Sequence, residues 1–312
     1  MTRLSNSQNV IVLLGGNSPE RAISLESGTA VARALSEVGY QVRQLDPADQ
    51  PLSDFNWGTD PLAVIMLHGT YGEDGQVQAE LEDLKIPYTG SDEVASQLAF
   101  HKHSAKEVFL AHQLPTPDWK VLPSTIDQQE LECLATEIGY PVIVKPEAQG
   151  SSIGVSIVRT ADELWQALQL AKEFDDLILI EKAICGEEWT VPVLDRQPLP
   201  AIRISSNRSF FDFAAKYEDD HTKYEVIKQS ESETSQRATV LSLKACELLK
   251  TAGVCRVDLM VDDSGQPWLL EVNTIPGMTD HSLVPKAAYA HGWSMSDLCE
   301  RILLPALPNR SN

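Results

Sequence analysis

The residues with most chemistry to offer lie between Gly253 and Pro285. The stretch GVCRVDLMVDDSGQPWLLEVNTIPGMTDHSLVP reads as two strands around a tight Asp-Asp-Ser-Gly turn and carries Arg256, Asp258, Glu271 and Asn273. Strand side chains alternate faces with period two. If Val261 pairs with Gln266, all four polar residues share one face, while Val257, Leu259, Leu270 and Val272 point to a core. Two carboxylates and an amide oxygen are hard donors, the set Mg²⁺ takes when it also holds substrate phosphates. The same pattern also suits an edge hairpin with a solvated polar face.

Other stretches offer complementary chemistry. Lys145-Pro146-Glu147-Ala148-Gln149-Gly150-Ser151-Ser152-Ile153-Gly154 lies between two apolar runs. Its glycines would let backbone amides approach an anion, with Lys145 adding a charge; an ordinary turn reads the same way. Residues 178–188 (ILIEKAICGEE) join two strands through Glu181 and Lys182 to Glu187 and Glu188, and could face a nucleobase and ribose or simply guard an edge. The polar loop 215–224 has two Lys-Tyr pairs, Lys216-Tyr217 and Lys223-Tyr224, consistent with a lid or an exposed loop. Glu20 and His68 fall at the carboxyl ends of the first and third expected strands, where open α/β sheets bind ligands. Gly277 could lend an amide to an oxyanion or merely make a turn. Neither a Walker motif nor G-x-G-x-x-G occurs in the chain.

These residues need elements to hold them. The runs NVIVLL (9–14), QVRQL and LAVIML (62–67), with helical spacing over 20–38, predict βαβ alternation and a doubly wound parallel domain. Ser91 is the expected N-cap of the next helix. From about 102 the rhythm changes to a small α+β unit over 102–194, with strands at 177–183 and 188–194. Residues 205–230 are polar without apolar periodicity, a length that is usually functional in a compact domain. A helix over 232–251, the hairpin and two closing helices after Ser282 complete the chain.

The 312 residues suffice for two or three domains with substantial cores. Twenty-five Lys and Arg against 45 Asp and Glu give a net charge of −20, which disfavours nucleic acid and anionic membranes as partners. Five cysteines, odd in number and without a C-x-x-C pair, suggest buried thiols in a reducing compartment. The N-terminal apolar run reads as a strand rather than a secretory segment, and no run has the length of a membrane span. A cytoplasmic protein is expected.

In this order, the phosphate-type hairpin, adenine-type linker, lysine-bearing lid and R-x-D…E-x-N hairpin resemble the ATP-grasp ligases. Within them the chain resembles the D-alanine–D-alanine ligase family. The resemblance rests on LLGGNSPERAISLESG (13–28), LHGTYGEDG (67–75), PYTGS (87–91), PVIVKPEAQGSSIGVS (141–156), AAKY (214–217) and 256–285. It implies an α/β (α+β) three-domain architecture: a doubly wound domain over 1–101, a central unit over 102–194, and a C-terminal unit over 195–312 with a lid at 205–230 and a metal-binding hairpin at 254–273. It implies ATP phosphates on Lys102, Lys145 and Lys216 under the turn of Gly150 and Ser152, and adenine and ribose on Glu181, Lys182 and Glu188. Asp258, Glu271 and Asn273 would hold two Mg²⁺ ions, with Mn²⁺ as a substitute. Glu20 and His68 would take the first D-alanine, and Glu20, Ser151 and Tyr217 would pin the lid. Arg256 and the Gly277 amide would serve the oxyanion, and Ser282 and Leu283 the second substrate's carboxylate. A homodimer is also implied.

A Lys-Tyr pair at 216–217 goes in the family with an amine second substrate, so a D-alanyl-D-alanine product for peptidoglycan is expected. Siblings that join D-alanine to D-serine or D-lactate, or a nucleotide-binding sensor without ligation, are the alternatives. The chain departs from the family's usual Met-Asp-Lys at Phe100-His101-Lys102, and lacks a proline in the lid's second half.

Overall fold

The computed structural model describes residues 8–205, 222–228 and 230–306. Lys216 and Tyr217, with most of the expected lid, lie outside the described residues.

Three sheets organise these residues. In the first, β1 (Asn9–Leu13) lies between β2 (Gln41–Leu45) and β3 (Pro61–Ile65), all parallel. Its central strand buries Val10 through Leu13 completely, as expected for a parallel strand covered on both faces. Helix α1 (Arg21–Glu37) supplies the first crossover and packs on a closing helix, Met295–Leu303. The closing helices therefore return to the first core, where Leu298 and Ile302 join Val10 and Leu35. Near Ile86–Thr89 the chain adds only one parallel bridge to this sheet, Ala63 with Tyr88.

The second sheet is antiparallel, in the order β4 (Trp119–Pro123), β7 (Leu177–Lys182), β5 (Val142–Pro146), β6 (Ser156–Val158). Two helices, Gln128–Ile138 and Ala161–Ala171, cover it with a separate core around Leu131, Val144, Leu168 and Ile180.

The third sheet runs β11 (Lys223–Ile227), β10 (Ala201–Ser205), β8 (Gly186–Leu194), β12 (Val254–Asp262), β13 (Pro267–Asn273), with the short β9 (Gln197–Pro198) pairing β8 beside this path. Helix Glu233–Leu248 packs on it, with a capping box at Ser232 and Ser235 closing its N-terminus.

Several expectations change here. β8, expected to close the central unit, pairs with β10 and β12 instead. Its continuous apolar run, Trp189 to Leu194, suits the middle of a sheet, and β12 lies against it over nine residue pairs. After α2 (Gln76–Asp83) and α3 (Glu93–Phe100), helix α4 (Lys102–Ala111) likewise puts Ala105 and Phe109 into the third sheet's core. Part of the polar stretch 205–230 forms β11, whose alternation is hidden by exposed Lys223 and Glu225 on an edge strand. The helix after Ser91 is capped by Asp92, which accepts from Ala95 N at 2.8 Å, while Ser91 Oγ bonds Ala252. Cys246, Cys255 and Cys299 are buried, but Cys133 and Cys185 are exposed. Among the described residues, no helix is long and apolar enough to cross a membrane.

Candidate active site

The second and third sheets face each other across a cleft of about 520 Å³, lined on one side by Lys145, Gln149 and Ser152 and on the other by Asp258 and Glu271. Lys102 and the linker 182–188 also line it.

The hairpin's register is not the expected one. Val261 pairs with Pro267, not Gln266, which alone would turn β13 over. A β-bulge between Asp258/Leu259 and their partners absorbs the extra residue, so Arg256 lies opposite Asn273 and Asp258 opposite Glu271. The four polar residues thus share a face as expected, by a different route. Leu269 takes the core place expected of Leu270, which lines the cleft instead.

Arg256 forks onto Asp258 through Nε to Oδ1 at 2.9 Å and Nη2 to Oδ2 at 2.7 Å. Thr190 Oγ1 donates to the same Oδ1 at 2.7 Å. Asn273 Oδ1 caps the Ile275 amide at 3.0 Å, and Glu271 Oε2 lies 3.6 Å from Lys102 Nζ. Asp258, Glu271 and Asn273 present only oxygen donors, which fits a hard divalent cation.

The opposing wall holds buried cations. Lys145 Nζ meets Glu181 Oε1 at 2.5 Å, and Lys106 Nζ meets Glu181 Oε2 at 2.9 Å. Burial pushes the Glu181 carboxyl up, but the two ammonium groups outweigh it and hold it below the usual carboxylate range. Glu181, expected to reach adenine, is only 2 % exposed and serves these lysines. Lys182, expected beside it, donates to the carbonyls of Gly139 and Tyr140 at 2.7 and 3.0 Å. Glu188 lines the cleft. Lys106 was missed: it follows Lys102 by one helical turn, on a face otherwise carrying Ala105 and Phe109, and a lysine on a buried face was the available signal.

The glycine turn touches the first domain. Ser151 and Ser152 take left-handed φ of 52° and 57°, a strained geometry typical of ligand-binding turns. Ser151 Oγ donates to Glu20 Oε1. The Glu20 carboxylate is wedged between two glycines: a Cβ on Gly69 or Gly150 would sit 2.8 or 2.7 Å from Oε2. Glycine at those positions is what lets a buried carboxylate stand at the crossing of two domains.

His68 Nε2 lies 3.3 Å from Ser27 Oγ, which also accepts the Met278 amide at 3.1 Å. Burial, reinforced by the Arg256 charge, pulls His68 down to about 4, so the imidazole is neutral at physiological pH. Glu73, also missed, accepts from the Gly69 amide at 2.7 Å; burial, then Glu20, push its carboxyl up to about 8. It lay in the quoted GEDG stretch, but nothing local in sequence marks it as buried.

Beyond the hairpin, Ser282 Oγ accepts from the Thr279 amide at 3.0 Å and lies close to Gly277, where a Cβ would sit 2.9 Å away. Ser282 is the N-cap residue of helix Leu283–His291 yet makes no capping bond, which leaves that helix's first amides for an anion. The structure therefore brings Lys102, Lys145, Ser152, Glu181, Lys182, Glu188, Asp258 and Glu271 to one cleft, sets Asn273 beside them on the hairpin's polar face, and joins Ser151 to Glu20 against Gly150.

A family profile described as D-ala D-ala ligase C-terminus matches residues 108–304. A D-alanine–D-alanine ligase of Ectopseudomonas mendocina is 44% identical over 301 residues, covering 96% of this chain and 95% of its own. One from Acinetobacter baumannii is 40% identical over 306 residues, covering 97% of both chains. The structure is similar to a D-alanine–D-alanine ligase from Bacillus anthracis complexed with ATP, with a TM-score of 0.81 and 35% identity over 96% of this chain and 97% of that one. With its three-sheet ATP-grasp architecture, the chain belongs to the D-alanine–D-alanine ligase family.

Proposed function

We propose that this chain joins two D-alanines to D-alanyl-D-alanine at the expense of ATP, through D-alanyl phosphate, releasing ADP and phosphate for peptidoglycan precursor synthesis in the cytoplasm. One observation carries the reading: lysines 102 and 145 and the glycine turn face the Asp258 and Glu271 carboxylates across a cleft with room for a nucleotide.

The first D-alanine's ammonium is held by Glu20, and its carboxylate attacks the γ-phosphorus of ATP, with ADP leaving with the bond's electron pair. Lys102, Lys145 and Lys216 spread the transferring charge, and Asp258, Glu271 and Asn273 would hold two Mg²⁺. Those ions, or Mn²⁺, supply neutralisation of the phosphate oxygens. Ser152 and the Gly150 turn cover the phosphates, while Lys182 and Glu188 border the base and ribose. Glu181 acts by holding Lys145 in place.

D-Alanyl phosphate hydrolyses in water, so the lid bearing Tyr217 closes on Ser151 and Glu20. The second D-alanine, its carboxylate at Ser282 and the Leu283 amide, attacks as a free amine. Its nitrogen bonds to the acyl carbon, and phosphate departs with the electron pair. The tetrahedral oxyanion takes hydrogen bonds from Arg256 and the Gly277 amide. Neutral His68 packs against the first substrate's pocket without adding a competing cation. The enzyme acts as a homodimer.

Incubation with ATP, Mg²⁺ and D-alanine, alone or with D-serine or D-lactate, tests this. D-Alanyl-D-alanine with one ADP per dipeptide is expected. A mixed product in preference would favour a sibling ligase, and absence of ADP would favour a nucleotide sensor.

A further inference from the structure

A second cluster of ligand-type side chains lies outside the nucleotide cleft, where α4 begins. His101 Nδ1 is 2.8 Å from Glu147 Oε2, and His103 Nδ1 is 2.7 Å from Glu147 Oε1. One ligand atom from each residue falls within 4.8 Å of the others. The Glu147 side chain is 1% exposed, whereas those of His101 and His103 are 35% and 32% exposed. The set therefore has a buried anionic floor and an entry path from solvent. Burial pushes the Glu147 carboxyl up, but the His101 bond and the His103 amide and ring outweigh it and hold it below the usual carboxylate range.

We propose that His101, His103 and Glu147 bind a divalent cation of the zinc class at a site separate from the Mg²⁺ site. Two imidazoles with one carboxylate suit Zn²⁺, Co²⁺ or Ni²⁺, whereas Mg²⁺ prefers oxygen donors alone. Four-coordinate Zn²⁺ with bonds of about 2.0–2.1 Å puts neighbouring donors about 3.3 Å apart. The present 2.7–2.8 Å contacts reach that by shifts of about half an ångström in two partly exposed rings. Binding through Nδ1 moves each ring's remaining proton to Nε2. For His103 an acceptor is already there: Ser104 Oγ lies 3.2 Å from Nε2.

The site's position gives it a consequence. Glu147 lies two residues before Gln149, whose carbonyl accepts from Lys102 Nζ at 2.6 Å. A cation on His101, His103 and Glu147 clamps the start of α4 to the phosphate turn, beside rather than inside the cleft.

Equilibrium dialysis against Zn²⁺ in a large excess of Mg²⁺, followed by elemental analysis, tests the assignment. Wild type and the His101→Ala/His103→Ala variant keep the same cysteines and the same Asp258, Glu271 and Asn273, so background binding cancels. Wild type is expected to retain one more Zn²⁺ per chain than the double variant, and His103→Gln alone is expected to lose that ion too. Equal zinc in wild type and either folded variant overturns the site, as does wild type that retains none.

Discussion

Arg256 and Asp258 stand two residues apart on one face of β12, and the guanidinium grips the carboxylate through Nε and Nη2. Such a fork is geometrically specific as well as strong. Asp258 is thus shared between two duties proposed for the hairpin: holding cation and aiming the arginine. A cation drawn to Asp258 competes with the guanidinium, and an arginine loosened from its carboxylate has donors to offer an oxyanion beside Gly277. In the proposed mechanism, nucleotide loading and oxyanion readiness would be coupled through this one pair.

Arg256→Ala is expected to lower turnover by on the order of a hundredfold or more, the scale for losing one oxyanion donor. ATP binding, measured separately by titration, should survive. Near-wild-type turnover would remove Arg256 from the chemistry.

Lys106→Met leaves buried Glu181 with Lys145 as its partner in the cleft wall. Removing one member of a buried charged set costs about 3–5 kcal/mol. Urea denaturation should show a loss near the low end of that range, since Lys145 remains, and the further change Glu181→Gln should recover part of it. An unchanged midpoint would mean that Lys106 contributes nothing.

Glu73→Gln is expected to stabilise the protein increasingly as pH rises. The folded carboxyl titrates at about 8, above its ordinary value of 4.5, so the folded chain keeps a proton that the unfolded chain has lost. The wild-type contribution is therefore intact below about 4.5 and is lost as pH climbs through about 8. At pH 8 the variant should gain on the order of 4 kcal/mol relative to wild type, with little difference at pH 4.5. A stability difference that does not change with pH would refute the shift.

Much of the cleft was legible because strand periodicity and glycine spacing are local signals. Asp258, Glu271 and Asn273 needed only alternation to be placed on one face, although the bulge that keeps them there has no mark in the residues themselves. What stayed hidden was set by tertiary partners. β8 reads like any buried strand, and only pairing with β10 and β12 decides which sheet owns it. Glu181 and Lys182 looked like free groups at a strand end, but Lys106 and the Gly139 and Tyr140 carbonyls claim them. Glu73 is buried by the meeting of loops distant in sequence. His101 was legible only as a departure from a family pattern; its neighbour in space, Glu147, lies 46 residues on.

The most direct measurement follows an oxygen atom. With D-alanine labelled by ¹⁸O in its carboxylate, attack on the γ-phosphorus carries one labelled oxygen into the acyl phosphate bridge, and the amine's attack then releases it in inorganic phosphate. One ¹⁸O in phosphate for each D-alanyl-D-alanine formed is the predicted result. Unlabelled phosphate accompanying dipeptide, or labelled D-alanine consumed without dipeptide, would contradict the account.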